Sequence, residues 1–239
     1  MTQLTTSELH AESARYAEEV DELLDSVLGH EARMASVERG GRFAVRPGGD
    51  GAAPERIPLR VRGQHLADLS IALFLDAATA GQPLALTATV IKVFSTLDRT
   101  PLVRLDYRSD MTSDPVCHWQ FHAERGAFTH LLSLAGTARP RRVPSPHDLS
   151  RIHLPVGGER FRPCLEDVLE MLVRDCGVDA RPGWEGVLAS GRERWRLRQL
   201  RSVVRDLQKE AAEVLEEEGW STRPPEALAE SRVQAYRRW

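Results

Sequence analysis

Short strand-like segments follow one another through the middle of the chain. Hydrophobic and polar residues alternate in Arg56–Arg62, Leu102–Arg108 and Cys117–Ala123, and β-branched residues are concentrated in Leu84–Ser95. A period of two is typical of strands with one buried face. Further segments of this kind are Leu69–Leu75 and Arg151–Val156. Because the connections are short, we expect an antiparallel meander of five or six strands over residues 56–156, with Pro58 confining the first strand to an edge.

Helical spacing marks both ends of the chain. Apolar residues recur every three or four positions from Thr5 to about Glu38, with Gly29 as the one candidate break. Gly40–Pro54 is rich in Gly, Pro and Ala and predicts a loop. Pro163 precedes a helix predicted at Leu165–Cys176, and a long helix is predicted at about Trp184–Glu218.

These elements predict an α+β fold, in which a twisted antiparallel meander is flanked by N-terminal and C-terminal helices. We divide the chain into an N-terminal helical segment (1–39), a flexible loop (40–55), an α+β core (56–178), and a long helix with a tail (179–239).

Composition narrows the class of protein. Of 239 residues, 28% are charged and 41% hydrophobic, and the net charge of −3 gives no overall attraction to nucleic acid. Lys92 and Lys209 are the only lysines, which indicates either a GC-rich genome or selection for bidentate anion binding by arginine. The three cysteines form no C-x-x-C pair, and we see no leader and no apolar stretch long enough to cross a membrane. We expect a cytoplasmic protein without contact to a membrane.

Strand alternation groups the residues that could carry chemistry. Arg104 and Asp106 share one face of their strand, and Tyr107 lies on the other. His118 and His122 share one face of the next strand, opposite Cys117, Trp119 and Phe121, and His153 lies opposite Ile152 and Leu154. If the three strands are neighbours, Arg104, Asp106, His118, His122 and His153 converge on one face.

Such a set suits metal-independent cleavage of a phosphodiester. His118 and His122 are the acid and base candidates, with His153 as a further catalytic candidate. Asp106 would orient one of these histidines, while Arg104 and Arg151 would hold phosphate. A metal is not expected, because histidines four residues apart on a strand are separated by about 13 Å, and no cofactor motif is present. The alternative is a polar sheet face, with Asp106 paired to an arginine and the histidines solvated.

The same residues carry a resemblance over about residues 101–175. R-L-D-Y at 104–107, P-V-C-H-W-Q-F-H at 115–122 and R-I-H-L-P at 151–155 resemble an uncharacterised bacterial domain family with an R-F-D-Y, H-P-x-x-H and R-I-P pattern. The stretch is also similar to His-rich toxins of bacterial toxin–antitoxin pairs. The resemblance implies Arg104, Asp106, Tyr107, His118, His122, Arg151 and Pro155 as shared positions, and it adds Tyr107 to the substrate-binding candidates. Leu105 departs from the family's aromatic residue, and His153 interrupts the R-I-P run.

Residues 184–218 are basic in their first half and acidic in their second, a polarity that opposes the helix dipole. We therefore expect Leu200, Val204, Leu207 and Ala211 to be buried, against residues 16–34 or a second chain. A solvated helix and a nucleic-acid contact with Trp195 stacked on a base remain the alternatives.

Two functions follow from these patterns. The first is binding or cleavage of a phosphate-bearing substrate by a cytoplasmic bacterial protein. RNA is the candidate substrate, in a toxin or defence setting. If it is an enzyme, it would be a metal-independent ribonuclease or phosphodiesterase. The second is a non-catalytic interaction module that oligomerises or binds a protein partner through residues 184–218.

Overall fold

One antiparallel sheet organises the chain. A computed structural model describes residues 5–29, 33–48, 55–77, 84–97, 99–122, 153–226 and 230–238. Its strands are β1 (Met34–Arg39), β2 (Arg42–Pro47), β3 (Ile57–Val61), β4 (Gln64–Ala77), β5 (Leu84–Ser95), β6 (Pro101–Arg108), β7 (Cys117–Phe121) and β8 (Leu154–Pro155). They are ordered β1-β2-β4-β5-β6-β7-β8, and β3 pairs with β4 off this path. The α+β fold with flanking helices is confirmed.

The helices are α1 (Thr6–Leu28), α2 (Leu165–Arg174), α3 (Trp184–Asp206) and α4 (Gln208–Glu217), followed by a 3₁₀ turn at Val233–Arg237. Leu24 of α1, Leu169 of α2 and Leu188 of α3 are buried in the same core as Ile71 and Leu105 of the sheet. These helices therefore cover the sheet face that carries Leu105, and the core lies between them and the strands. No helix among the described ranges is long and apolar enough to span a membrane.

The N-terminal helix is shorter than predicted. Thr5 and Glu8 form a reciprocal cap at its start, and Gly29 ends it in the left-handed conformation with φ 64°. The prediction of helix to about Glu38 is wrong, because residues 34–39 form β1. Gly40 and Gly41, with φ of 61° and 80°, make a two-residue hairpin into β2.

The predicted loop Gly40–Pro54 is likewise wrong where β2 occupies it. Within residues 56–156 the described part of the chain has six strands, β3–β8, as predicted, and β1 and β2 from residues 34–47 bring the sheet to eight. The strands predicted at residues 56–62, 69–75, 84–95, 102–108 and 117–123 each overlap an observed strand. β5 has the predicted bounds, and β3, with Pro58 in it, is paired only with β4 among the described strands.

The long C-terminal helix is interrupted at Leu207, whose φ of −131° and ψ of 55° are not helical. The buried carboxylate of Asp206 lies immediately before this break and accepts hydrogen bonds from Arg160 Nε at 2.7 Å, Arg232 at 3.2 Å and the Tyr236 hydroxyl at 3.2 Å. These bonds tie the C-terminal turn to the segment that precedes α2. No Gly or Pro marks the break in the sequence, and these bonds are the tertiary contacts at its position.

The sequence predicted burial of four apolar residues on α3 and α4, namely Leu200, Val204, Leu207 and Ala211. Within a single chain this prediction is wrong for two of them. Leu200 is 57% exposed and Val204 44% exposed, while Leu207 and Ala211 are half-buried. The contact of α3 with the rest of the fold is made earlier, by the buried Leu188 and Gly191. Arg198 extends this contact with an ion pair of 2.7 Å to Glu19 of α1.

Candidate functional site

The polar residues of β6 and β7 lie on the sheet face away from the core. In the register of the strands, Asp106 lies opposite His118, and Arg104 lies opposite Gln120. The polar residues were expected to converge if their three strands are neighbours, and the strand order β6-β7-β8 shows that they are. His153 immediately precedes β8. We call Lys92, Arg104, Asp106, His118, His122 and His153 the polar face.

His118 and His153 are brought into direct contact. Their rings meet edge-on with centroids 4.5 Å apart. His118 is 3% exposed, and its Nδ1 lies 2.9 Å from the carbonyl oxygen of Pro115. Because a carbonyl only accepts hydrogen bonds, Nδ1 carries the proton, and Nε2 holds the lone pair of the neutral ring. His153 Nδ1 lies 3.7 Å from Asp114 Oδ1, a distance that suits an ion pair when His153 is protonated.

Asp106 is engaged with an arginine. Its carboxylate forms an ion pair of 2.8 Å with Arg104, and Asp106 is 8% exposed. This pairing is the one that the alternative sequence interpretation gave for a polar sheet face. That interpretation also expected solvated histidines, which does not hold for the buried His118. In this arrangement Asp106 orients Arg104, and its role toward a histidine stays a prediction.

His122 follows the last residue of β7. Its backbone N–H donates to the Leu102 carbonyl at 3.0 Å, which continues the β6–β7 pairing by one residue. Its ring Nε2 is buried and has no hydrogen-bond partner among the residues that the structure describes. The strand conformation of residues 117–121 confirms the alternation, with Cys117 buried and Trp119 packed on the core, but Phe121 is 45% exposed instead of buried.

Tyr107 and Arg151 complete the predicted set. Tyr107 is 2% exposed on the core side of β6, under the guanidinium of Arg162, and does not reach the polar face. Arg151 lies outside the described residues, so its role as a phosphate ligand stays a prediction. In the described ranges, no three His, Cys, Asp or Glu residues are grouped closely enough to hold a metal ion.

Lys92 is a residue of this face that the sequence analysis did not select. It lies on β5 directly opposite Arg104. Burial lowers the pKa of Lys92, and the positive charges of Arg104 and Arg56 lower it further, against the single opposing influence of Asp106. Arg104 Nε is also buried, and no group in the described ranges accepts a hydrogen bond from it. A lysine inside a β-branched strand, in a chain with only one other lysine, is the sequence signal that could have identified it.

Lys92 and Arg104 can attract an anion to the polar face. On the same face the imidazole rings of His118 and His153 are in contact. No family model, curated protein or solved structure matches this chain. The resemblance of residues 101–175 therefore stays a prediction.

Proposed function

We propose that this protein binds a phosphate-bearing ligand, with RNA as the candidate, through Lys92 and Arg104 of the polar face. The observation that carries the proposal is the register of β5 and β6, which sets these two cations side by side. Like charges opposite each other on neighbouring strands repel, and a bound phosphate would replace that repulsion with two charge-assisted hydrogen bonds.

The charges around Lys92 favour an anion over a cation. Two cationic groups and one carboxylate act on its ammonium group, and that carboxylate is already paired with Arg104. The Arg104 side chain is 31% exposed, so a phosphate oxygen can reach its guanidinium. A local basic site of this kind is compatible with RNA binding by a chain whose net charge is −3.

Binding is tested by fluorescence anisotropy with a labelled single-stranded RNA. We expect Lys92→Met and Arg104→Met each to weaken binding by about tenfold or more, in line with the loss of a charge-assisted contact. Each variant should also reduce the salt slope by about 0.7, the value for one phosphate contact to a single strand. Lys209→Met is the matched control, because it removes the only other lysine from an exposed position on α4. Unchanged affinity of Lys92→Met would reject the polar face as the binding site.

Cleavage of the bound RNA is a second candidate, favoured by the contact of His118 with His153. His118 Nε2 would accept the proton of the attacking 2′-hydroxyl, and protonated His153 would donate one to the leaving 5′-oxygen. His118 is 3% exposed, so binding ranks ahead of cleavage. Denaturing gels of RNA incubated with wild type, His118→Gln and His153→Gln test this step. Cleavage that persists in both variants would exclude the pair, and it would leave the binding proposal intact.

The interaction role is the alternative that a separate observation favours. Leu197, Leu200 and Val204 are exposed at helical spacing on α3, with exposed fractions of 44%, 57% and 44%. A second chain or another protein could cover them. Sedimentation velocity of wild type and Leu200→Asp distinguishes this role from ligand binding, because only the interaction role requires a change of mass.

A further inference from the structure

Residues that can donate hydrogen bonds form a row across the sheet, at right angles to its strands. Ser70 of β4 lies opposite Lys92 of β5, which lies opposite Arg104 of β6. Arg104 in turn lies opposite Gln120 of β7. Directly opposite residues of neighbouring strands point to the same face of a sheet, about 5 Å apart. These four side chains therefore follow one another across the side of the sheet that carries the polar face.

Arg56 extends this row by one position. It directly precedes Ile57, the first residue of β3, and Ile57 lies opposite Leu69 of β4. The same register continued by one residue sets Arg56 beside Ser70. We call Arg56, Ser70, Lys92, Arg104 and Gln120 the transverse row.

The Arg56 guanidinium is held on this side of the sheet by an aromatic ring. Its Cζ lies 3.7 Å from the centre of the Phe94 ring, and Phe94 is only 7% exposed. Phe94 follows Lys92 by two residues on β5, so both side chains lie on one face, about 7 Å apart along the strand. Burial and the charge of Arg104 lower the pKa of Lys92, and the charge of Arg56 lowers it further. The guanidinium of Arg56 is thus close enough to Lys92 for their charges to interact.

The transverse row has an excess of positive charge. Arg56 is exposed and forms no ion pair within the described ranges. Asp106 is paired with Arg104 at 2.8 Å, and Asp68 contacts His65 at 2.7 Å. Three cations therefore face two carboxylates that already have partners, and a net positive charge is left even when His65 is neutral. A ligand with several negative charges at intervals would relieve the repulsion along the row.

We propose that a single RNA strand crosses the sheet along the transverse row, with one phosphate between Lys92 and Arg104 and a neighbouring phosphate at Arg56. The inference rests on the proposed binding of RNA at the polar face, and it adds the direction of the strand and a third contact residue. Lys92 and Arg104 lie on adjacent strands and can share a phosphate, whereas the guanidinium of Arg56 lies one step further along the row. A stacked guanidinium still presents its N–H groups at the edge of its plane, where phosphate oxygens bind them.

Binding of two ligands of different length tests this path. An oligouridine of about eight nucleotides can contact all three cations, whereas uridine monophosphate has one phosphate group, which Lys92 and Arg104 hold. We expect Arg56→Met to weaken binding of the oligomer by about tenfold and to reduce its salt slope by about 0.7. Binding of the monophosphate to this variant should stay as in wild type. Lys92→Met should weaken binding of both ligands. Fluorescence anisotropy measures the labelled oligomer, and calorimetric titration measures the monophosphate.

Arg108→Met is the matched control. Arg108 ends β6 on the same face, about 13 Å from Arg104, and is paired with Asp110 at 3.2 Å. This variant should bind the oligomer like wild type. Arg56→Lys keeps the charge and should therefore keep the salt slope. Because Arg56 is exposed, both of its variants should melt at the wild-type temperature.

The variants separate a wrong path from a wrong site. If Arg56→Met binds the oligomer as tightly as Arg108→Met while Lys92→Met binds it weakly, the path is overturned and the binding site at the polar face stands. Equal weakening of both ligands by Arg56→Met would also overturn the path, because Arg56 would then hold the same phosphate as Lys92. If Lys92→Met binds both ligands like wild type, the site and the path are both rejected.

Discussion

The imidazole rings of His118 and His153 meet edge-on, with their centroids 4.5 Å apart. The contact depends on the pairing of β7 with β8, in which His118 lies opposite Pro155. His118 is held from the other direction by the Pro115 carbonyl. The relationship therefore fixes both the position of the ring and the nitrogen that is left to act.

The first prediction concerns the tautomer of the His118 ring. His118 should be the Nδ1–H tautomer when neutral, because its Nδ1 donates to the Pro115 carbonyl at 2.9 Å. His65 is an internal control, since its Nε2 lies 2.7 Å from the Asp68 carboxylate and should carry the proton. Long-range proton–nitrogen correlation spectra distinguish the two tautomers in wild type. An Nε2–H pattern for His118 would contradict the hydrogen bond and remove the argument for Nε2 as a base.

The sheet could be predicted wherever one local pattern controlled the structure. Residues 84–95 have the predicted strand bounds because β-branched residues are concentrated in this central strand. The error at residues 29–38 has a visible cause. Apolar residues continue at helical spacing past Gly29, but the Gly40–Gly41 pair between two short runs is a strong hairpin signal that outweighs this spacing.

The candidate site could be predicted only as far as alternation reaches. Alternation placed Arg104, Asp106 and His118 on one face, and the register confirms that arrangement. Which of these side chains pair with each other depends on tertiary packing. The Asp106–Arg104 ion pair and the burial of His118 depend on what packs over the strands, and period-two patterns do not encode this.

The second prediction concerns the thiols. Cys117 and Cys164 are buried, and burial raises the pKa of Cys117 to about 12, so neither should form a reactive thiolate in the native protein. Cys176 is exposed, but partial burial and the neighbouring Asp175 carboxylate raise its pKa. A disulfide reagent should modify one thiol in native protein, more slowly than free cysteine and faster as pH rises, and three after denaturation. Rapid modification of a second native thiol would contradict the burial of Cys117 and Cys164.

The third prediction concerns the carboxylate at the helix break. Asp206→Asn should lower the free energy of unfolding by about 1–3 kcal/mol, because it weakens the charge-assisted bond from the partly buried Arg160, which keeps only Glu159 at 3.1 Å as a carboxylate partner. Tyr236→Phe removes one hydrogen bond to the same carboxylate and should cost about 1 kcal/mol. Urea unfolding measures both values. Glu210→Gln, at an exposed position of α4, is the control and should stay within about 0.5 kcal/mol of wild type. Equal stability of Asp206→Asn and this control would show that the network does not hold the C-terminal turn.

The last prediction compares two leucines of α3. Leu188 is 1% exposed in the core, and Leu200 is 57% exposed beyond the contact with α1. Leu188→Ala should therefore cost about 2–5 kcal/mol through the cavity it leaves, whereas Leu200→Ala should stay within about 0.5 kcal/mol of wild type. Urea unfolding at two protein concentrations, with light scattering of the same samples, separates burial within one chain from burial between chains. If Leu200→Ala proves as costly as Leu188→Ala and the cost grows with protein concentration, a second chain covers Leu200. The interaction role would then replace ligand binding as the first explanation of this helix.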